Sequence, residues 1–323
     1  MVSRYRRYIY RGSIALAVLV AGLLVFQACS GSGSGGAKAA TGSPTGDTSP
    51  SATQVSSPEL EGLLATTDLG VGPNRISFLL LTPDGLVTVP QVSVTSRYLP
   101  SDGSPAVSVE TATARFHLWP FGVRGNYATM LSFDRPGDWD LDVKVHEIGD
   151  TVMTVSIPLR VKETSYTPAV GSRPPMVLNK TLADVDSLEE LTSWPFADPE
   201  MYQLTIPEAL ATGKPLMLVF ASPGICTSPT CGPQVDTILG LKEKYRGQVN
   251  FIHVEVYDNP EEIQTDLRLG RYAPAVEAWN LPKIEDYLNE SWVFILDREG
   301  RIASKYEGYA PAEELEAGLE GTL

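Results

Sequence analysis

Phe220-Ala-Ser-Pro-Gly-Ile-Cys226-Thr-Ser-Pro-Thr-Cys231-Gly-Pro233 decides how the C-terminal part of this chain folds. The apolar run from Pro215 to Phe220 leads into it and reads as a buried strand, and the helix-patterned run from Gln234 to Arg246 leads out of it. Two cysteines therefore sit where a strand hands over to a helix. A helix N-terminus carries partial positive charge and free N–H groups, and both favour a thiolate there. The usual redox spacing is Cys-x-x-Cys; here four residues separate the pair. Five residues of regular helix rise about 7.5 Å, more than the Cα separation a disulfide tolerates. A bond between Cys226 and Cys231 thus requires a non-helical Thr227–Thr230. Pro229 helps by disfavouring helical geometry at Ser228. Gly232 then suits the N-cap and Pro233 the first helical position. The local sequence is compatible with a closed, loop-borne disulfide.

Around this stretch the pattern continues. Thr205-Ile-Pro-Glu208 matches a capping box and opens a short helix to Ala211, stopped by Gly213. After the cysteine loop and its helix comes a strand, Asn250 to Tyr257. Asp258-Asn-Pro-Glu-Glu262 then opens another helix. A strand Trp292–Asp297, a turn Arg298-Glu-Gly300, a strand Arg301–Tyr306 and a last helix Pro311–Leu319 complete the order. The sum is βαβα, a β-hairpin and a final helix: a mixed sheet with helices on its faces.

That order, with a dithiol after the first strand, resembles the thioredoxin-like fold over residues 195–323. It is similar above all to membrane-anchored, extracytoplasmic thioredoxin-like proteins of bacteria. Val256-Tyr-Asp-Asn-Pro260 is similar to the family's strand ending in an acidic, Pro-containing turn, and Phe294-Ile-Leu-Asp297-Arg-Glu-Gly300-Arg to its final hairpin. The resemblance implies that Cys226 attacks and Cys231 resolves. The chain departs from the family in four places. The spacing is Cys-x4-Cys, and Ile225 stands where a Trp usually precedes the first cysteine. Ser291 stands near the position of the cis-proline, and Phe220 near that of a buried carboxylate.

His253 is the candidate auxiliary residue. On its strand Phe251, His253, Glu255 and Tyr257 share one face, and Ile252, Val254 and Val256 the other. A partly buried His253 could lower a thiolate pKa or move protons. The competing reading is a structural His satisfied by Glu255 or by backbone.

Upstream, residues 59–163 read as an all-β domain. Strand candidates are Arg75–Leu81, Gln91–Tyr98, Val107–Phe116, Tyr127–Phe133, Trp139–His146 and Val152–Val161, many alternating with period two. Turn signals at Pro83-Asp-Gly85, Ser101-Asp-Gly103, Arg135-Pro-Gly137 and Gly149-Asp150 separate them. This spacing predicts an immunoglobulin-like sandwich, here without an internal cysteine bridge. It looks like the small β modules of bacterial envelope proteins. His117, His146, Met130 and Met153 fall within it. No His-x-His or Met cluster accompanies them, so no metal site is expected there. Residues 164–194, with Pro168, Pro174 and Pro175, read as the interdomain linker, with a short helix within Leu182–Trp194.

Residues 1–29 read as a targeting segment. Arg4, Arg6, Arg7 and Arg11 precede an apolar run of 13 residues, Ile14 to Phe26, too short for an ordinary span and suited to a signal h-region. Ala28-Cys29 at its end resembles a bacterial lipoprotein signal, which implies a lipid on Cys29 as the sole membrane attachment. An uncleaved signal anchor is the alternative. Residues 30–58 are a Gly/Ser-rich tether that cannot bury enough surface to fold.

The length of 323 residues fits about two domains with attachments. A net charge of −14 argues against nucleic acid as a partner. With Cys29 lipidated, Cys226 and Cys231 are the only cysteines left in an exported chain, so they are expected to pair with each other. The expected function is a thiol–disulfide oxidoreductase of the cell envelope, acting on the thiols and disulfides of other envelope proteins without a cofactor. The alternatives are a non-catalytic adaptor with a structural disulfide and, last, a copper-transfer protein of the Sco type, with His253 as the only His in this domain to serve it.

Overall fold

The computed structural model describes residues 60–120, 124–146, 152–226, 229–263, 266–285, 287 and 290–323. Residues 1–59, where a targeting segment with Cys29 and a tether are expected, lie outside the described residues.

The first described body is antiparallel β. Its strands are β1 (Glu61–Leu64), β2 (Gly72–Thr82), β3 (Gly85–Leu86), β4 (Gln91–Leu99), β5 (Val107–Leu118), β6 (Gly125–Phe133), β7 (Gly137–His146) and β8 (Val152–Val161). The six strands read from the sequence all form, and β1 and β3 are additions. Hydrogen bonds link the strands continuously in the order β1-β2-β6-β5-β4-β7-β8, with β3 beside β2. The sheet wraps until its two edges meet. A Cβ on Gly62 of β1 would lie 2.5 Å from Ile157 of β8, and Gly70 bridges Lys162. Inside lies one apolar core that includes Ile76, Phe78, Tyr127, Phe133, Trp139 and Val143. Such a wrapped sheet fits a sandwich or a barrel.

His117, His146, Met130 and Met153 do not gather in it. Met130 is 54% exposed and Met153 only 5%. His117 lies 3.7 Å from Glu313, and His146 is on the outside at the end of β7.

The second body starts with α1 (Ile206–Ala211), whose Thr205–Glu208 capping box is in place. Then follow β9 (Leu216–Ala221), α2 (Cys231–Lys244), β10 (Asn250–Glu255), α3 (Pro274–Ala278), β11 (Trp292–Leu296), β12 (Ile302–Glu307) and α4 (Ala312–Glu320). The sheet order is β10-β9-β11-β12. β9 and β10 run parallel, and β11 is antiparallel to both β9 and β12. This is the thioredoxin-like order, with α2 as the crossover between the two parallel strands.

Both faces of this sheet are covered. Met217, Val219, Val293 and Ile295 pack with Val235 and Ile238 of α2 and Leu315 and Leu319 of α4. Leu218, Phe220, Ile252 and Phe294 pack on the other side with Ile206 of α1 and Val276 and Trp279 of α3.

Two local expectations are corrected. No helix opens at Asp258. Asn259 is buried, and its side chain accepts from Arg271 N (2.9 Å) and donates to Leu269 O (3.1 Å). Those bonds hold the chain in a closed loop, and Pro260, which lacks an N–H, suits it. The helix forms later, at Pro274. Within Leu182–Trp194 only a single 3₁₀ turn forms, at Leu188–Glu190.

The segment from 164 onward is irregular, as its prolines predict, yet it is fastened to the sheet. Gly171 N donates to Ile302 O (2.7 Å), and Ile302 N to Ser172 O (2.9 Å). The two bodies also bond directly. Buried Arg75 of β2 makes a two-pronged ion pair with Glu314 of α4, at 2.6 and 2.9 Å, and donates to the carbonyls of Glu307 and Tyr309. Thr67 donates its N–H (2.8 Å) and its hydroxyl (2.5 Å) to Glu307.

Candidate functional site

The strand β9 is apolar throughout and buried from Leu216 to Ala221. It delivers the chain to Ser222 at the edge of the core, where a Pro223-Gly224 turn sends it outward. Cys226 follows, half-buried, and is disulfide-bonded to Cys231 with the two Cα atoms 6.3 Å apart. Cys231 is wholly buried in the core with Val235 and Val219.

The helix start differs from the expectation. α2 begins at Cys231, with Thr230 at the N-cap, so Gly232 and Pro233 are its second and third residues. Pro233 still costs no hydrogen bond, because the first-turn N–H groups have no intrahelical acceptor. The shift has a chemical consequence. The first-turn N–H groups and the positive end of the helix dipole lie at Cys231 and favour a thiolate there, whereas its burial in the apolar core opposes one.

Two residues that sequence reasoning did not assign to the site come from the segment before α1. Trp194 packs over the start of α2: a Cβ on Gly232 would lie 3.2 Å from its ring. Ser193 sits against the Pro223-Gly224 turn. Gly224 N donates to Ser193 Oγ (3.0 Å), and a Cβ on Gly224 would come within 2.2 Å of the Ser193 carbonyl. Ser193 in turn donates its N–H and hydroxyl, both at 2.8 Å, to Glu255 Oε2. The one signal for these contacts was Trp194, a large aromatic at the end of the stretch read as linker, where nothing requires one.

Glu255 ends β10 opposite Ala221. It is a buried carboxylate close to the cysteine turn, supplied by the neighbouring strand instead of by the position of Phe220. Burial pushes its pKa up to about 7, against the pull of the Ser193 donors.

His253 fits the structural reading, with a backbone carbonyl among its partners, and not the auxiliary one. It is 1% exposed. Its Nε2–H donates to Ala221 O (3.0 Å), which leaves Nδ1 to accept from Tyr202 Oη (2.6 Å). Burial lowers its pKa to about 4. A neutral imidazole with both nitrogens engaged neither lowers a thiolate pKa by its charge nor offers a lone pair to copper. The partners are a tyrosine and a backbone carbonyl, not Glu255.

Ser291, near the family's cis-proline position, is wholly buried. Its carbonyl accepts from Gly308 N (2.8 Å), and its hydroxyl donates to Gly308 O (3.1 Å). Just before it, Glu290 accepts from Thr230 Oγ1 (2.8 Å), which ties this segment to the residue preceding Cys231.

Among the described residues the one grouping with metal-ligand geometry is Asp198, Glu200 and Glu243. Lys242 and Arg246 already bridge these carboxylates, which accounts for the cluster without an ion. No described helix is long and apolar enough to cross a membrane.

No family model matches the chain, and no curated protein matches it. Among solved structures, a thiol:disulfide interchange protein of the thioredoxin family from Chlorobium tepidum TLS is similar to it at 11% identity, over 48% of this chain and 97% of that chain, with a TM-score of 0.31. The thioredoxin-like arrangement therefore rests on the strand order and directions given above.

Proposed function

We propose that the chain is an extracytoplasmic thiol–disulfide oxidoreductase-like protein, held to the membrane by a lipid on Cys29. The observation that carries the reading is the asymmetry of its disulfide. Cys226 reaches the surface from a turn, and Cys231 lies buried at the first residue of α2.

In the reduced protein the Cys226 thiolate attacks a sulfur of a client disulfide. The client S–S bond breaks, a mixed disulfide forms, and one client thiolate leaves. Cys231, as thiolate, then attacks Cys226. The Cys226–Cys231 bond forms and the second client thiol is released, so two electrons pass to the client. Run backwards, the same steps oxidise a client dithiol. His253 stays neutral and structural throughout.

Cys231→Ser is expected to accumulate mixed disulfides with envelope proteins, and Cys226→Ser to capture none. The reduction potential of the pair is expected above roughly −300 mV, out of the range of structural bridges. A pair below that value, with no partner captured by either variant, would make the disulfide structural. One feature supports that second reading, an adaptor: Ser291 is wholly buried with its carbonyl bonded to Gly308, so it offers no edge to a client backbone.

A further inference from the structure

A cavity of ≈ 290 Å³ opens next to the N-cap of α2 and has walls from both bodies. Thr230, the residue before Cys231, is part of its lining. Leu79 and Trp119 come from the β-rich body, and Tyr287, Glu290 and Tyr309 from the thioredoxin-like body, with Glu307 at their junction. The β wall is fixed in place. Trp119 Nε1 donates to Asn126 Oδ1 (2.7 Å), and Asn126 Nδ2 donates to Ser77 Oγ (2.7 Å).

The electrostatics are one-sided. Glu290 and Glu307 line the space, and no Lys, Arg or His is among its described lining residues. Burial pushes the Glu307 carboxyl up to about 7 and both its oxygens already accept from Thr67, so Glu290 is the carboxylate open to a cation. Three aromatic rings complete the lining, and aromatic faces attract cations. A carboxylate has about four lone-pair sites, so the single bond from Thr230 leaves Glu290 with acceptor capacity. The volume suits one long side chain, below the usual range for a drug-sized ligand. A Lys or Arg suits all of this, since its apolar stem can lie along Leu79 and the rings while its charged head meets Glu290. The chain's own charge of −14 attracts basic partners from further away.

We infer that this cavity receives the side chain of a Lys or Arg that lies next to the reacting cysteine of a client protein. The inference rests on the redox reading for the client and its reacting cysteine, but not for the pocket's preference for a basic side chain. In it the β-rich body is half of a specificity pocket and selects basic sequence context around the cysteine to be exchanged.

The test uses the full-length protein and two short acetylated, amidated peptides without thiols. One carries Lys beside a Ser that stands for the client cysteine, and the other carries norleucine in place of that Lys. Calorimetry is expected to show the Lys peptide binding on the order of tenfold more tightly, the size of one good charge-assisted contact. Glu290→Gln should erase the preference from one wall. Leu79→Lys, which sets a fixed cation into the space, should erase it from the other. Both sites are only half-buried, so the variants are expected to fold, which circular dichroism checks. Equal binding of the two peptides, or a preference that survives both substitutions, overturns the inference. Because neither peptide can exchange a disulfide, a Lys preference upholds the pocket whatever the trapping experiment gives, and its absence leaves the redox reading standing.

Discussion

In the β-rich body, β7 turns Trp139, Leu141, Val143 and Val145 inward and sets polar or half-exposed residues between them. In the thioredoxin-like body, every residue of β9 and β11 is buried. β7 has one wet face, and β9 and β11 have none. A polar residue on a wet face needs no partner from the protein, whereas a polar residue in a covered sheet must find one inside. His253 and Glu255, both on β10, are such exceptions, and each is bonded to a different element: His253 to Tyr202, Glu255 to Ser193. The covered sheet therefore shows where the chain has placed polar groups at a cost.

The bluntest way to break this comparison is to empty one site of each kind. Phe294 on β11 is fully buried against Trp279, Trp292 and Phe220. Phe294→Ala is expected to cost about 3–5 kcal/mol in urea unfolding, from lost transfer energy and the cavity left behind. Met130 on β6 is 54% exposed, and Met130→Ala is expected to stay within about 0.5 kcal/mol. Comparable losses at the two positions would mean that the outer face of β6 is not the free surface it looks.

The same difference governs what could be read from the sequence. The alternating strands gave their own boundaries to within a few residues, because period two is written into every strand with one wet face. The covered strands were legible as short apolar runs next to punctuation: Gly213 before β9, and the Arg298-Glu-Gly300 turn after β11. The cysteine pair stood out by its position between a strand and a helix. What stayed hidden depends on contacts distant in sequence. Ser193 reaches Glu255 across 62 positions, and no local pattern encodes that pairing. Asp258 to Glu262 carried helix-start chemistry, but Asn259 spends its side chain on residues ten and twelve positions later. β1 was missed because it is a four-residue edge strand with a glycine in it.

A finer probe uses the two buried ionisable groups on β10. The pKa of His253 falls to about 4 from its ordinary 6.5, so between those values the unfolded chain holds a proton the native chain refuses. Stability then drops as pH falls through that window, by up to about 3 kcal/mol. Glu255 rises to about 7 from 4.5, so between those values the native chain holds a proton the unfolded chain releases. Its contribution is full below the unfolded value and is lost as pH rises towards 7, by a similar amount. The two slopes oppose each other where the windows overlap and largely offset. Glu255→Gln should therefore gain stability relative to wild type as pH rises through its window. His253→Gln should gain relative to wild type as pH falls through its own. Urea titrations across both windows check this, and profiles parallel to wild type would sink it.

The smallest expected effect lies where the covered sheet meets the cysteine turn. Ser193→Ala removes one donor to Glu255 and the acceptor of the Gly224 N–H. Gly224 is exposed, so its N–H can turn to water at little cost. The loss at Glu255 depends on charge. When the carboxyl is protonated, an ordinary hydrogen bond worth about 1 kcal/mol disappears; when it is ionised, a charge-assisted one worth about 2 kcal/mol disappears. Ser193→Ala should thus cost more above the Glu255 pKa of about 7 than below it. It should also raise that pKa further, because the hydroxyl favours the ionised form. A loss that is the same on both sides of neutrality would mean that the Ser193 hydroxyl does not sense the charge on Glu255. A second readout follows from the geometry. With the Pro223-Gly224 turn no longer tied to Ser193, dithiothreitol should reduce the Cys226–Cys231 bond faster in the variant, since attack depends on access to the sulfur. An unchanged reduction rate together with the pH-dependent loss would assign Ser193 to the carboxylate alone and leave the turn held by the packing of the Ser193 backbone against Gly224.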